Sequence, residues 1–185
     1  MASSTPTVKP EADVANKPHH VHHTITSTKS SALTGKLEAD VEIKASPEQF
    51  HDMIANKPHH LNRTCDDKIQ GCDLHEGEWG KVGTIINWSY VLDGKAKQTK
   101  EIIEAVDPVK NLIVFKVMEG DLMEEYKSFL LSIQVSPKSE GSGGSLVHLT
   151  LEYEKLHQGI DHPQTMLQFM KDVSNGIDAH LTKPN

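Results

Sequence analysis

A glycine-rich segment is the first part of this sequence whose residue types and spacing could do chemistry. Gly77, Gly80 and Gly83 surround Lys81, and the backbone amides of glycine-rich loops can point at a phosphate or another anion. The Lys-Ser/Thr pair of a P-loop is missing, and the segment lies between two predicted strands instead of before a helix. We therefore interpret it as a structural hairpin loop.

Histidine side chains are the candidate metal ligands. Four of them stand close together near the start of the chain: His19, His20, His22 and His23. Neutral imidazoles suit zinc, copper and nickel, but a flexible segment supplies no further groups that would fix the ligands. His59 and His60 are adjacent, so they point in different directions from a short helix. We expect no metal centre and no cofactor.

The composition narrows the class of protein. The chain has 185 residues with 19 Lys and Arg, 26 Asp and Glu, and a formal net charge of -7. This balance argues against a general nucleic-acid binder, because phosphate contacts require a surplus of basic residues. No apolar run approaches the roughly 18 residues of a membrane span, and the spacing of Cys65 and Cys72 matches neither a CxxC redox motif nor a zinc site. We expect a cytoplasmic protein with reduced thiols, no membrane insertion, and small or neutral partners.

The first 33 residues differ in composition from the rest of the chain. They contain three Lys, two acidic residues and many Ser and Thr, without apolar periodicity, so we predict a disordered leader (1–33) before one folded domain (34–185). The motif ANKPHH occurs at residues 15–20 and again at residues 55–60. We hypothesise that the leader keeps part of a second domain copy, from a gene that encodes tandem copies. Sequencing the parent locus tests this, and a locus without a second copy nearby would exclude it.

Hydrophobic patterning predicts a succession of strands interrupted by two short helices. Residues 37–44 alternate between apolar and charged side chains, which is typical of a half-buried strand. Ser46 and Gln49 form a capping box that begins one short helix, and Pro58 can begin a second. The further strands, which form an antiparallel meander, are predicted at residues 68–75, 82–92, 96–106, 112–118, 124–135 and 146–156.

A long amphipathic helix is predicted near the end of the chain, beginning with a capping box of Asp161 and Gln164. Its apolar stripe repeats at helical spacing and consists of Met166, Phe169, Met170, Val173, Ile177 and Leu181. A twisted antiparallel sheet of this size curls and leaves an apolar concave face. One helix roughly 10 Å wide cannot fill that hollow without large side chains, and only 5% of the residues are aromatic. We expect a cavity between helix and sheet.

Four segments together carry a family resemblance: residues 77–85, 119–123, 125–129 and 148–155. In these segments the chain resembles the major latex protein family, a branch of the birch-pollen-allergen and class-10 pathogenesis-related superfamily, and the likeness extends over residues 34–183. The resemblance implies an α+β helix-grip fold, with a seven-stranded curved antiparallel sheet around a long C-terminal helix, two short helices in a V and an internal hydrophobic cavity. It also implies binding of hydrophobic small molecules, steroid-like, fatty or phenolic, in plant defence or stress responses.

The resemblance assigns the apolar stripe of the last helix to the lid of this cavity. The expected lid residues are Met166, Phe169, Met170, Val173 and Ile177. Flexible Met side chains suit a pocket that accepts ligands of several shapes. The opposite wall is expected from strand residues Leu37, Val41, Ile86, Trp88, Val114 and Leu130. Which alternate strand positions point inward is left open by the pattern.

Two other functions of similar proteins compete with a non-catalytic carrier. Ribonuclease activity is credited to family members through the glycine-rich loop, which makes Lys81 and Glu78 a fallback catalytic pair. Condensing enzymes of the superfamily use a buried lysine, but Lys116 cannot be matched to it residue by residue. Relatives that act as ligand-gated sensors carry a proline-bearing gate motif that is missing here. We therefore expect no catalytic residue, and the sequence identifies no protein partner.

Overall fold

The computed structural model describes residues 33–139 and 143–184. The predicted leader lies outside the described residues except for Leu33, as does the first histidine group.

Seven strands build one antiparallel sheet. They are β1 (Thr34–Ile43), β2 (Ile69–Glu76), β3 (Ile85–Leu92), β4 (Lys95–Asp107), β5 (Leu112–Gly120), β6 (Tyr126–Pro137) and β7 (Ser145–Lys155). The sheet order is β1-β7-β6-β5-β4-β3-β2, so β2 to β7 form a meander and β1 pairs with the last strand. The predicted α+β architecture with a seven-stranded antiparallel sheet is confirmed.

Local sequence explains where the meander turns. Asp93 and Gly94 form the two-residue turn between β3 and β4, and both have a positive φ, 52° and 74°. Asp-Gly is favoured in such hairpins because both central residues need that backbone conformation. The strand predicted at residues 82–92 is shorter in the structure. β3 begins at Ile85 instead of Val82, because Gly83 has a φ of 89°, which is not a strand conformation.

Three α-helices accompany the sheet: α1 (Pro47–Asn56), α2 (Leu61–Thr64) and α3 (Gln164–Leu181). Ser46 caps α1 in the predicted capping box with Gln49. A 3-10 turn (Pro58–His60) leads directly into α2, which completes the predicted elbow. A second 3-10 turn (Asp121–Glu124) joins β5 to β6. No helix of the described residues is long and apolar enough to cross a membrane.

The predicted capping box of α3 is wrong. The helix begins at Gln164, and its N-cap, Pro163, makes no side-chain hydrogen bond. The residue before a proline is biased away from the helical region, so His162 prevents the helix from starting two residues earlier. The main-chain carbonyl of Asp161 instead accepts a hydrogen bond from the hydroxyl of Tyr126 at 2.8 Å.

Helix α3 packs against the inner face of the sheet, with contacts to β1, β7 and β3. Its C-terminal half is tied to the start of α1, because the carboxylate of Asp178 accepts hydrogen bonds from the backbone N–H groups of Lys44 and Ala45 at 2.8–3.1 Å. These contacts fix α3 over the sheet, and the space left between them is the candidate site.

Candidate functional site

A cavity lies between α3 and the inner face of the sheet. Its volume is about 90 Å³, which is several times the roughly 10–15 Å³ that a single water molecule needs. The lining is predominantly apolar and comes from all three helices and most strands. Its residues are Phe50, Ile54, Leu61, Ile69, Trp88, Tyr90, Thr99, Glu101, Phe115, Leu122, Leu131, Ile133, Leu149, Met166, Phe169, Met170, Val173, Ser174 and Ile177.

The structure brings together the predicted lid and one predicted wall residue. The lid positions Met166, Phe169, Met170, Val173 and Ile177 all line the cavity, as does Trp88 on β3. Phe169 is partly exposed and its ring lies 5.5 Å from that of Tyr90. This contact joins helix and sheet at one side of the cavity.

The other predicted wall positions lie elsewhere. Leu37, Val41 and Ile86 are buried on the inner face but do not line the cavity. Val114 and Leu130 are only partly buried and alternate with the buried Phe115 and Leu131, so their side chains belong to the outer face of the sheet. The prediction that Val114 and Leu130 line the cavity is therefore wrong. Their chain neighbours Phe115 and Leu131 line it instead.

Polar side chains meet on one wall of this apolar cavity. Trp88 on β3 is the direct cross-strand partner of Thr99 on β4, and Glu101 follows two residues later, on the same face. The Thr99 hydroxyl donates a long hydrogen bond of 3.4 Å to the Glu101 carboxyl. The indole nitrogen of Trp88 is buried and has no hydrogen-bond partner among the described residues.

Burial controls the charge of this wall. It raises the pKa of Glu101 to about 7, while the hydroxyl of Thr99 and the indole N–H of Trp88 act in the opposite direction. The indole is therefore near the carboxyl, although it makes no hydrogen bond of normal geometry to it. Burial, together with the charge of Glu101, also raises the pKa of the Tyr90 hydroxyl. The site is an apolar chamber with one titratable acid.

Glu101 is the charged residue of the site, and the sequence predictions do not include it. Strand β4 carries a readable signal, because Thr99, Glu101 and Ile103 alternate with Lys100 and Ile102, and the first three are buried. A search for apolar wall residues passes over a charged side chain at an inward position. A buried acid among apolar residues is uncommon, and that makes it informative.

The glycine-rich loop does not line the cavity. Gly77, Gly80 and Gly83 have positive φ angles of 96°, 80° and 89°, and a Cβ on Gly80 would collide with the side chain of Asn56 in α1. The amide of Gly83 donates to the carbonyl of Ile103 at 2.9 Å, so that amide is unavailable to an anion. The loop packs against the helical elbow, in agreement with a structural hairpin loop.

Lys81 and Glu78 form an exposed ion pair on this loop. Their charged atoms are 3.8 Å apart, and both side chains are at least 70% exposed. Water screens such a pair, so the attraction between the two charges is weak. The pair has no chamber in which to enclose a substrate.

The second histidine group also has a structural setting. The His59 ring stacks on Trp79 of the glycine-rich loop, with ring centres 4.4 Å apart, and burial lowers the pKa of His59. Across residues 33–139 and 143–184, no group of three His, Cys, Asp or Glu side chains is arranged to hold a metal ion. The His59–Trp79 contact fastens the loop to the elbow.

An outer groove adjoins the cavity at the β7–α3 connection. Its volume is about 320 Å³, and it shares Leu122 and Met166 with the cavity. The turn between β3 and β4 and residues 159–163 form its sides. Tyr153 holds this connection through a hydrogen bond between its hydroxyl and Nδ1 of His162. Leu122 and Met166 thus stand between the polar groove and the apolar cavity.

Comparisons with known proteins agree with this geometry. Residues 32–184 match the pathogenesis-related protein Bet v 1 family. The chain is 59% identical over 170 residues to MLP-like protein 28 of Arabidopsis thaliana, a match that covers 92% of this chain and 50% of that relative. The chain therefore spans about half the length of that relative.

Solved structures show the same fold. A crystal structure of major latex-like protein 151 from Panax ginseng aligns with a TM-score of 0.77 at 41% identity, covering 81% of this chain and 99% of that one. A solution structure of an Arabidopsis thaliana major latex protein family member aligns with a TM-score of 0.62 at 60% identity, covering 85% of this chain and all of that one. This chain belongs to the Bet v 1 family, and its relatives place it with the major latex proteins.

Proposed function

We propose that this protein binds and carries a hydrophobic small molecule in the cavity beneath α3, without catalysing its conversion. The observation that carries the proposal is the apolar cavity itself, which is covered by the Met-rich face of α3 and borders the outer groove at Leu122 and Met166. Steroid-like, fatty and phenolic molecules are the ligand classes we propose, in a plant defence or stress response.

Burial of the ligand supplies the binding free energy. Micromolar affinity corresponds to about 8 kcal/mol, and removal of apolar surface from water contributes roughly 25 cal/mol per Å². About 330 Å² of buried apolar surface therefore reaches this value before the costs of ordering are subtracted. A ligand of moderate size needs no ion pair to bind at this affinity. Because the lining has few polar groups, it selects weakly among ligands with different hydrocarbon skeletons.

A non-catalytic role is supported by the placement of the reactive groups. Lys81 and Glu78 lie on the surface, away from the chamber. The acid inside the chamber, Glu101, has a threonine and a tryptophan beside it, and neither is an activated nucleophile. We propose the cytoplasm as the compartment, because Cys65 and Cys72 are buried free thiols, which persist where the surroundings are reducing.

The test places a larger side chain in the cavity, at a position on α3. Met170→Trp puts a larger ring into the cavity, and we expect it to weaken binding of the neutral fluorescent probe N-phenyl-1-naphthylamine at least tenfold. Asn175→Trp is the matched control, because Asn175 is exposed on the same helix; it should leave the affinity within twofold. Equal probe affinity in wild type and a folded Met170→Trp variant would contradict this site.

A further inference from the structure

The polar wall of the cavity contains hydrogen-bonding capacity that the protein does not use. The indole N–H of Trp88 lies near the Glu101 carboxyl but makes no hydrogen bond of normal geometry among the described residues, and Trp88 is 8% exposed. The carboxyl of Glu101, 7% exposed, accepts one long hydrogen bond, from Thr99. An ionised carboxylate can accept about four hydrogen bonds. A donor and an acceptor thus stand open side by side.

The remaining polar groups near the cavity differ from this pair. The hydroxyl of Ser174 donates to the carbonyl of Met170 at 2.8 Å, which satisfies it within the helix. The rest of the lining is mainly aliphatic and aromatic carbon. Tyr90 also lines the cavity, and the charge of Glu101 acts on its hydroxyl. A ligand therefore finds its polar contacts on the wall formed by Trp88, Tyr90, Thr99 and Glu101.

Both open positions belong to rigid parts of the fold. Trp88 and Thr99 are register partners of the β3–β4 hairpin, and the Trp88 ring packs nearly perpendicular to that of Phe115, with ring centres 6.3 Å apart. Buried polar groups in native proteins are nearly always paired with protein, water or ligand. A buried donor that makes no hydrogen bond of normal geometry within the protein is open to a partner from outside the chain.

The chemistry of the pair selects the polar group of that partner. A hydroxyl donates to the Glu101 carboxylate and accepts from the Trp88 N–H at the same time. An ammonium group donates but cannot accept, so it leaves the indole unpaired. A carboxylate accepts from the indole but meets the like charge of Glu101, which is unfavourable in a buried site. A hydrocarbon satisfies neither group.

We propose that Glu101 and Trp88 form a hydroxyl-recognition site, so that the ligand is an apolar alcohol or phenol whose hydroxyl bridges the two side chains. This inference rests on the proposed function, since it specifies which hydrophobic molecules the cavity accepts. At pH 8, where the Glu101 carboxyl is ionised, fatty acids and other apolar carboxylates bind more weakly than their alcohols. Thr99 orients the carboxyl through its hydrogen bond.

The test compares ligands of one shape. Dissociation constants of the full chain for 2-naphthol, 2-methylnaphthalene and 2-naphthoate are measured by titration calorimetry at pH 8. We expect 2-naphthol to bind about tenfold more tightly than 2-methylnaphthalene, because a hydrogen bond to an ionised acceptor is among the strong ones. We expect 2-naphthoate to be the weakest of the three.

Variants then assign the preference to the two side chains. In Glu101→Met and in Trp88→Phe the ratio of the 2-methylnaphthalene and 2-naphthol dissociation constants should fall below three. Glu104→Gln, which changes an exposed acid of the same strand, should keep the wild-type ratio. Equal wild-type affinity for 2-naphthol and 2-methylnaphthalene, or a preference that survives Glu101→Met, would overturn the hydroxyl site alone. Failure of all three compounds to bind would overturn the carrier function and this inference together.

Discussion

Glu101 is the residue at which stability and function conflict. Its carboxyl lies in an apolar cavity, where burial disfavours the ionised form and raises its pKa to about 7, against a value of about 4.3 in an unfolded chain. The folded protein therefore holds this proton more tightly than the unfolded chain does. Stability contributed by Glu101 is highest below the unfolded pKa, and it falls as the pH rises from about 4 to about 7.

Glu101→Gln tests this conflict. The neutral amide has the same shape, so we expect the variant to gain about 3 kcal/mol of unfolding free energy at pH 8 over the wild type, and little at pH 4. Urea unfolding at both pH values measures the difference. Glu104→Gln on the exposed face of β4 serves as control and should change stability by less than about 0.5 kcal/mol. A Glu101→Gln variant that is no more stable than wild type at pH 8 would contradict the raised pKa.

At the scale of elements, α3 packs closely against the C-terminal end of α2, and this contact helps to hold α3 over the sheet. A Cβ added to Gly176 would lie 2.7 Å from Sγ of Cys65, directly beyond α2. The glycine lets the two helices approach. The Cys65 thiol also donates a weak hydrogen bond to the carbonyl of Val173 at 3.6 Å.

Gly176→Ala separates helix propensity from packing. In an unhindered helix, alanine gains about 1 kcal/mol over glycine, but here we expect a net loss of about 1–2 kcal/mol because the methyl group displaces the sulfur. Thermal unfolding of Gly176→Ala, of Cys65→Ala and of the double variant forms a double-mutant cycle. The alanine should become neutral or stabilising once the sulfur is removed. A loss of equal size in both backgrounds would exclude the contact as its cause.

Asp178 tests the other attachment of α3. Asp178→Ala removes the acceptor of the backbone N–H groups of Lys44 and Ala45, and we expect a loss of about 2 kcal/mol, since hydrogen bonds to charged groups are strong. Asp172→Ala is the matched control on the same helix: its partly exposed ion pair with Lys68, at 4.0 Å, and its exposed hydrogen bond from Gln168 should together contribute less than about 1 kcal/mol. Equal losses in the two variants would show that Asp178 does not anchor the helix.

At the scale of the whole molecule, the sequence predicted the arrangement of elements better than the site. The turns of the meander carry unambiguous signals such as Asp93-Gly94, and the Met-rich stripe of α3 repeats at helical spacing. The cavity wall was harder, because the middle of β5 is apolar on both faces and Val114 could not be told from Phe115 by alternation. Glu101 is harder to predict still, because the inward positions of β4 are Thr99, Glu101 and Ile103, and a pattern of apolar inward residues does not include a charged side chain.

The leader and the tandem-copy hypothesis stay predictions. The ANKPHH motif recurs at residues 15–20 and 55–60, and the chain spans half of MLP-like protein 28. The second copy of the motif includes His59, which the structure uses in its contact with Trp79. In the folded domain, therefore, this motif fastens the helical elbow to the glycine-rich loop.

The most direct test of the carrier account is native mass spectrometry of the full chain after incubation with a plant lipid and sterol extract. The account predicts one-to-one adducts of defined mass on the wild type and on Asn175→Trp, and their loss in Met170→Trp. No adduct on the folded wild-type protein, or adducts that persist in a folded Met170→Trp variant, would contradict it.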